Sequence, residues 1–282
     1  MPKDIRDQLT ELKPEQSIAL LKELHILTRE GKINQDSRRK LKQVYHLYQF
    51  ILPLMKDVVD SNDGQLLLVD HGAGKSYLGF ILYDLFLKSY PKALVFGIES
   101  RPELVKKSQE LADKLGFTQG MMFYDILVEQ ALVSDKIPEK VDIVTALHAC
   151  DTATDDALKF GLKKSAKYIV LVPCCQAEVA SVLRRDKGSV LGKTALSELW
   201  RHPIHTREFG SHITNVLRCL QLEAMGYQVT VTELVGWEHS MKNELIIAKY
   251  IGQKRKSSRK RQLDILNSYH LGVLKERFAY DI

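Results

Sequence analysis

The 282-residue sequence predicts an α/β protein, with a seven-stranded, mostly parallel sheet behind an N-terminal helical extension. Three observations carry that expectation. From about residue 61 onward, short apolar runs alternate with amphipathic stretches, the pattern of strands and helices wound into a parallel sheet. The first 60 residues show helical spacing only. The last two apolar runs follow each other through GWEHSMKN, which leaves no room for a helix and predicts an antiparallel closing pair.

Within the extension, Ile18, Leu20, Leu21, Leu24 and Leu27 recur at helical spacing. A second run, from Leu41 to Met55, does the same and is expected to bend at Pro53. After the polar stretch 61–64, strands are expected at Leu66–Asp70, Ala93–Ile98, Met121–Tyr124, Val141–Leu147, Tyr168–Val172, Gln228–Val235 and Glu244–Tyr250. Helices fill the gaps at about 75–89, 101–115, 152–164, 176–185 and 207–225. The organisation is then an extension over 1–60, a sheet domain over 61–251, and a basic linker with a final helix over 252–282.

Apolar residues make up 45% of the chain and charged ones 27%, which suits an ordinary globular core and excludes disorder or a disulfide-stapled miniprotein. No run approaches the roughly 20 apolar residues of a membrane span, and the start lacks a signal-peptide pattern, so a cytoplasmic protein is expected. Four cysteines in so long a chain are expected as reduced thiols. The formal charge is +6, and the run KRKSSRKR at 254–261 holds six cations; without it, 35 basic residues face 35 acidic ones. With a smaller cluster at Arg38, Arg39, Lys40 and Lys42, this distribution suits a polyanionic partner or a solvated surface.

Ligands of open α/β sheets sit beyond the carboxyl ends of the strands, so the residues closing each strand are the candidates. The first strand runs into Asp70, Gly72, Ala73 and Gly74, where glycine lets the backbone turn tightly and approach a ligand. The second ends in Glu99 and Ser100, a carboxylate able to accept both hydroxyls of a ribose. The third leads to Asp125 and Ile126, an acid for an exocyclic amine and an apolar face for a base. Together they outline an adenosine site. GAGKS invites a nucleoside-triphosphatase reading, but Val69 stands where the phosphate loop needs its first glycine. A nicotinamide dinucleotide fits less well, because Tyr77 stands where its fingerprint wants a small residue.

The fourth strand continues as LHACDTATDD and the fifth as VPCCQAEV. These segments resemble the group of class I S-adenosylmethionine-dependent methyltransferases with His-x-Cys-x-x-x-x-Asp after strand four and Pro-Cys-Cys after strand five. They are similar to those of the eukaryotic tRNA 2′-O-methyltransferases. EHSMKNELIIA resembles the family's closing segment, with Lys242 and Asn243 matching, and the likeness spans about residues 60–250. It departs at Asp151, where those tRNA enzymes carry glycine. The resemblance implies a Rossmann-like seven-stranded sheet, S-adenosylmethionine as cofactor, and His148 at the cofactor as well as the acceptor.

His148, Cys150 and Asp151 on one strand end, and Cys174 and Cys175 on the next, then surround one crevice. Three roles stay open: a methyl-acceptor pocket with His148 or Asp151 taking a proton, a nucleophilic cysteine, or a metal site; buried thiols filling gaps are the fourth. These residues are expected to be catalytic, without a metal. Pro173, Gln176, Arg201, His202, His205 and Arg207 are the candidates for substrate contact, the last four within the segment 200–212, in and beside a loop after strand five. RNA is the expected acceptor. A protein or small-molecule methyltransferase, a phosphate-loop NTPase and a non-catalytic RNA-binding scaffold are the alternatives.

Overall fold

The computed structural model describes Leu9 and residues 11–147, 149–174, 176–185, 193–234 and 244–282. His148, Cys175, Lys242 and Asn243 lie outside them, as does the expected strand end at Val235. Seven strands form one sheet: β1 Leu66–His71, β2 Ala93–Ile98, β3 Met121–Tyr124, β4 Ile143–Ala146, β5 Tyr168–Leu171, β6 Tyr227–Glu233 and β7 Glu244–Tyr250. Their order is β3-β2-β1-β4-β5-β7-β6. β1 to β5 pair in parallel, and β7 runs antiparallel between β5 and β6. The fourth and fifth strands are shorter in the ladder than the apolar runs suggest: Val141 and Asp142 precede β4, and Leu147 and Val172 lead into the loops at the carboxyl ends.

In the extension, α1 (Ile18–Glu23) is capped by Ser17, and α2 (Gln35–Ser61) by Asn34, whose side chain accepts from the Ser37 amide. α2 is one helix through Pro53. Its apolar face, with Leu47, Ile51, Met55 and Val58, packs with Leu66 and Leu68 of β1 in one core. α1 is tied down by Asp84 of α3 (Tyr77–Leu85), a buried carboxylate that accepts from the Gln16 amide group and the Ser17 N–H and pairs with Lys88. α4 (Pro102–Leu115) follows β2, and α5 (Val128–Val133), which the sequence pattern did not suggest, follows β3. The opposite face of the sheet is covered by α6 (Thr152–Lys163) through Leu158 and Phe160 and by Leu222 of a later helix.

α7 (Glu178–Arg185) follows β5. A 3₁₀ turn at Ala195–Trp200 then leads into α8 (Pro203–Ala224). The helix expected from about 207 therefore begins four residues earlier, at Pro203, and takes in His205 as well as Arg207. Proline in the first helical turn presets the backbone, and the Thr206 hydroxyl donates to the Trp200 and His202 carbonyls.

The expected basic linker is also corrected: α9 (Lys256–Ser268) begins inside the basic run and buries Ser258, Gln262 and Leu266. The final helix expected to Phe278 is broken into α9, a 3₁₀ turn at Gly272–Leu274 and α10 (Lys275–Phe278). Arg255 and Arg261 pair with Glu223 of α8, and Arg259 with Asp281. Half of the six cations are thus engaged within the fold.

Candidate cofactor and acceptor crevice

Strand order reverses between β1 and β4, and a ligand crevice is expected outside the carboxyl ends at that switch point. Gly72 and Gly74 lie there with φ of 63° and 59°, the left-handed region that side chains disfavour. A Cβ on Gly72 would stand 3.3 Å from the Cβ of Ala149, so the glycine loop and the loop after β4 are in contact. Ala73 donates its N–H to the Ile98 carbonyl, fastening the loop to the end of β2.

Glu99 closes β2 at 6% exposure. Its Oε2 accepts from the Gly74 N–H at 2.8 Å, and Arg101 grips both oxygens through Nε at 2.9 Å and Nη2 at 3.1 Å. Burial raises the carboxyl pKa, but Arg101 and the Gly74 amide outweigh it and hold it below the ordinary value. The Arg101 side chain is 59% exposed, while that of Glu99 is buried. Ser100 is exposed beside it, with its hydroxyl 3.5 Å from Glu99 Oε1. Asp125 is exposed at the end of β3, next to a half-buried Ile126.

Asp70 is placed differently. It is buried under the loop, accepts the Thr145 hydroxyl at 2.9 Å and faces the Gly79 amide and Ser76 hydroxyl; burial, offset in part by these bonds, raises its pKa to about 7. It supports the loop from below. Next to it the sequence reading missed His71. This imidazole is 3% exposed, tilted against Phe160, with Nε2 lacking a partner among the described residues. Burial lowers its pKa to about 4, against the opposing pull of Glu99. A polar residue at the last, otherwise apolar, step of a buried strand was the available signal.

The second half of the crevice lies beyond β4 and β5. Asp151 has φ 51° and ψ −119°, a conformation that glycine adopts readily. Two contacts hold it there. Its Oδ1 accepts the Ala177 N–H at 2.9 Å at the start of α7, and its carbonyl accepts from Arg218 Nη2 at 2.9 Å. Asp155, the acid that ends the His-x-Cys segment, makes a bidentate pair with Arg218 at 2.7 and 2.8 Å, with both side chains buried. Arg218 also donates to Asn215, whose Oδ1 accepts from Gln176 and whose amide donates to Glu244 of β7. The Ser211 hydroxyl completes the network on Gln176 Oε1 at 2.7 Å. Arg218, Asn215 and Ser211 were not singled out from the sequence.

Cys150 and Cys174 meet across this half, their sulfurs 3.2 Å apart. Pro173 is buried. Arg201, His202, His205 and Arg207 are exposed around the start of α8; Arg201 pairs with Glu198 and Arg207 with Glu208. Arg207 precedes Ser211 by four residues and so shares the helix face that reaches Gln176. Among the described residues no three His, Cys, Asp or Glu side chains gather as a metal site requires, and no helix is long and apolar enough to cross a membrane. A separate cavity of about 370 Å³, lined by Leu24, Lys75, Tyr77, Lys107 and Lys114, opens between α1 and α4.

A parallel sheet reversing at β1 and β4, a glycine loop and an acid closing β2 define the class of Rossmann-like nucleotide-cofactor enzymes. The sequence model of a family described as a methyltransferase domain matches residues 39–182, starting inside α2, and the chain belongs to that family. A curated relative, the glutathione S-transferase C-terminal domain-containing protein homolog of Drosophila melanogaster, is 24% identical over 207 residues; these cover 66% of this chain and 33% of that protein. The match thus spans about a third of the relative's length. Among solved structures, the S-adenosylhomocysteine-bound methyltransferase of Podospora anserina aligns over 89% of this chain and 97% of its own, at 11% identity and a TM-score of 0.49. TrmK of M. capricolum with S-adenosylhomocysteine aligns over 68% and 65%, at 10% identity and a TM-score of 0.42.

Proposed function

We propose that the protein is an S-adenosylmethionine-dependent methyltransferase acting on RNA. The observation that carries the reading is the Glu99 carboxylate, held against the Gly74 amide at the carboxyl end of β2 and matched to a ribose. When bound, the cofactor supplies an electrophilic methyl group. The glycine loop gives it close backbone approach, Glu99 accepts its ribose hydroxyls once Arg101 yields, and Asp125 and Ile126 flank its base. On the acceptor side, Asp151 is committed to the α7 amides, so we assign the proton of the attacking group to His148. The likeness of the Cys150 and Cys174 segments to the tRNA 2′-O-methyltransferases supports RNA, as do the exposed cations at the start of α8 and Lys254, Lys256 and Lys260 on and beside α9.

Calorimetric titration tests the cofactor: S-adenosylhomocysteine should bind and ATP with magnesium should not. Tight ATP binding with hydrolysis would reverse the assignment. Transfer of a labelled methyl group to total RNA, followed by nucleoside mapping, tests the acceptor; label appearing only on protein would favour a protein methyltransferase. Replacing Lys254, Lys256 and Lys260 with Gln should reduce the slope of log affinity against log salt by up to about 2, at roughly 0.7 per phosphate contact.

A further inference from the structure

Cys150 follows β4 and Cys174 follows β5, two adjacent parallel strands, and their sulfurs approach to 3.2 Å with Cys150 exposed and Cys174 half-buried. The two loops are already fixed to each other. Asp151, next to Cys150, accepts the amides of Ala177 and Glu178, three and four residues beyond Cys174, and Arg218 holds the Asp151 carbonyl. The thiols are therefore presented to one another by loops that are bonded together, the arrangement that lets the second thiol attack within the molecule ahead of a thiol from solution. Oxidation needs only a small approach of side chains on a scaffold that stays in place.

We propose that Cys150 and Cys174 form a redox-active dithiol, a modification site for low-molecular-weight disulfides such as oxidised glutathione. One thiol, losing its proton, attacks the glutathione disulfide; its sulfur bonds to one glutathione sulfur and the other leaves as a thiolate, which takes up the proton. The second thiol then attacks the mixed disulfide, forming the Cys150–Cys174 bond and releasing the second glutathione as its thiol. The protein loses two electrons and two protons, and one disulfide becomes two thiols. The bond closes a loop spanning 24 positions and staples the two strand ends that flank the acceptor half of the crevice. Its consequence for methyl transfer rests on the proposed function; the cross-link itself does not.

The test is a peptide map of the full chain after incubation with oxidised glutathione, thiol blocking and trypsin without reductant. The expected product joins peptides 141–159 and 168–184 with the loss of two hydrogens, fragment ions placing the bond on Cys174. Dithiothreitol should reverse it. It should vanish in Cys150→Ser and Cys174→Ser and persist in Cys175→Ser. The oxidised wild type should melt about 5 °C or more above the reduced form, a gain absent from Cys150→Ser. Glutathione adducts without the cross-link, or a bond mapped to Cys175, would overturn the proposal. The wild-type map decides the matter even where a serine variant folds poorly. Loss of methyl transfer on oxidation, restored by reductant, would extend the proposal to activity; an unchanged rate beside a formed cross-link would confine it to a modification without control of turnover.

Discussion

The two halves of the crevice are built by different means. Beyond β1 and β2 the site rests on backbone geometry and one carboxylate: two glycines in the left-handed region and Glu99, all within about 30 residues of one another. Beyond β4 and β5 it rests on a buried polar network in which Asp155 meets Arg218 63 positions away and Gln176 meets Asn215 39 positions away. The first half partners its carboxylate with a backbone amide and the exposed Arg101, a side chain at the surface. The second turns its polar groups inward, where they satisfy one another. Substitutions in the first should therefore register in ligand affinity, and substitutions in the second in stability.

The largest expected effect is in the second half. Arg218→Met strands the Asp155 carboxylate in a buried site, at about 3–5 kcal/mol, and should lower the melting temperature by about 5–8 °C. Adding Asp155→Leu should restore much of the loss, because a buried pair replaced as a whole leaves no uncompensated charge. A melting curve unchanged in the single variant would break the comparison.

Next comes a pH effect at the floor of the first half. The unfolded chain protonates His71 near its ordinary value of 6.5 and the folded chain only near 4, so acidification through this window favours unfolding, by up to about 3 kcal/mol. Asp70 acts oppositely: the folded carboxyl keeps its proton up to about pH 7, so it contributes stability at acid pH that is lost as pH rises through 7. In His71→Leu only the Asp70 effect remains of the two. Urea unfolding of that variant between pH 6.5 and 4.5 should show a stability profile tilted toward acid relative to wild type.

Glu99→Ala should weaken S-adenosylhomocysteine by about 1–3 kcal/mol, the cost of losing a charged hydrogen-bond partner, with little change in melting temperature. A large drop in melting temperature without loss of affinity would move Glu99 into the structural half.

The smallest effect separates two roles of one residue. Asp151→Ala keeps a side chain at φ 51° while removing the cap on α7, and should cost about 1–2 kcal/mol. Asp151→Gly loses the same cap but relieves the backbone, so its net cost should be smaller. Equal losses in chemical denaturation would mean that the conformation carries no strain.

How far the sequence was legible follows the same division. The alternation of apolar runs located all seven strands, and Gly72, Gly74 and Glu99 could be read as strand-end residues, because each owes its role to its own chemistry and its place on a local element. α5 was not legible: six residues with a Gln130 cap offer too short a period to detect. The helical start of α8 was obscured by polar residues that suit a surface helix as well as a loop. The basic run read as a linker suited to a polyanion or to solvent, because pairing of Arg255 and Arg261 with Glu223 depends on where α8 passes.

The sequence by itself determined the α/β class, the helical extension, the strand positions and the glycine loop with its acid, since hydrophobic period and backbone freedom are local properties. Only the tertiary structure decided that Asp151 is a strained cap rather than an open base, that Asp155 is paired with Arg218, that Gln176 is spent within a network, that His71 is buried and neutral, and that Cys150 faces Cys174. Those facts turn on which groups the chain brings to between 2.7 and 3.2 Å of one another across 24 to 63 positions, and, for the Asp155–Arg218 pair, on the burial that makes it costly to break.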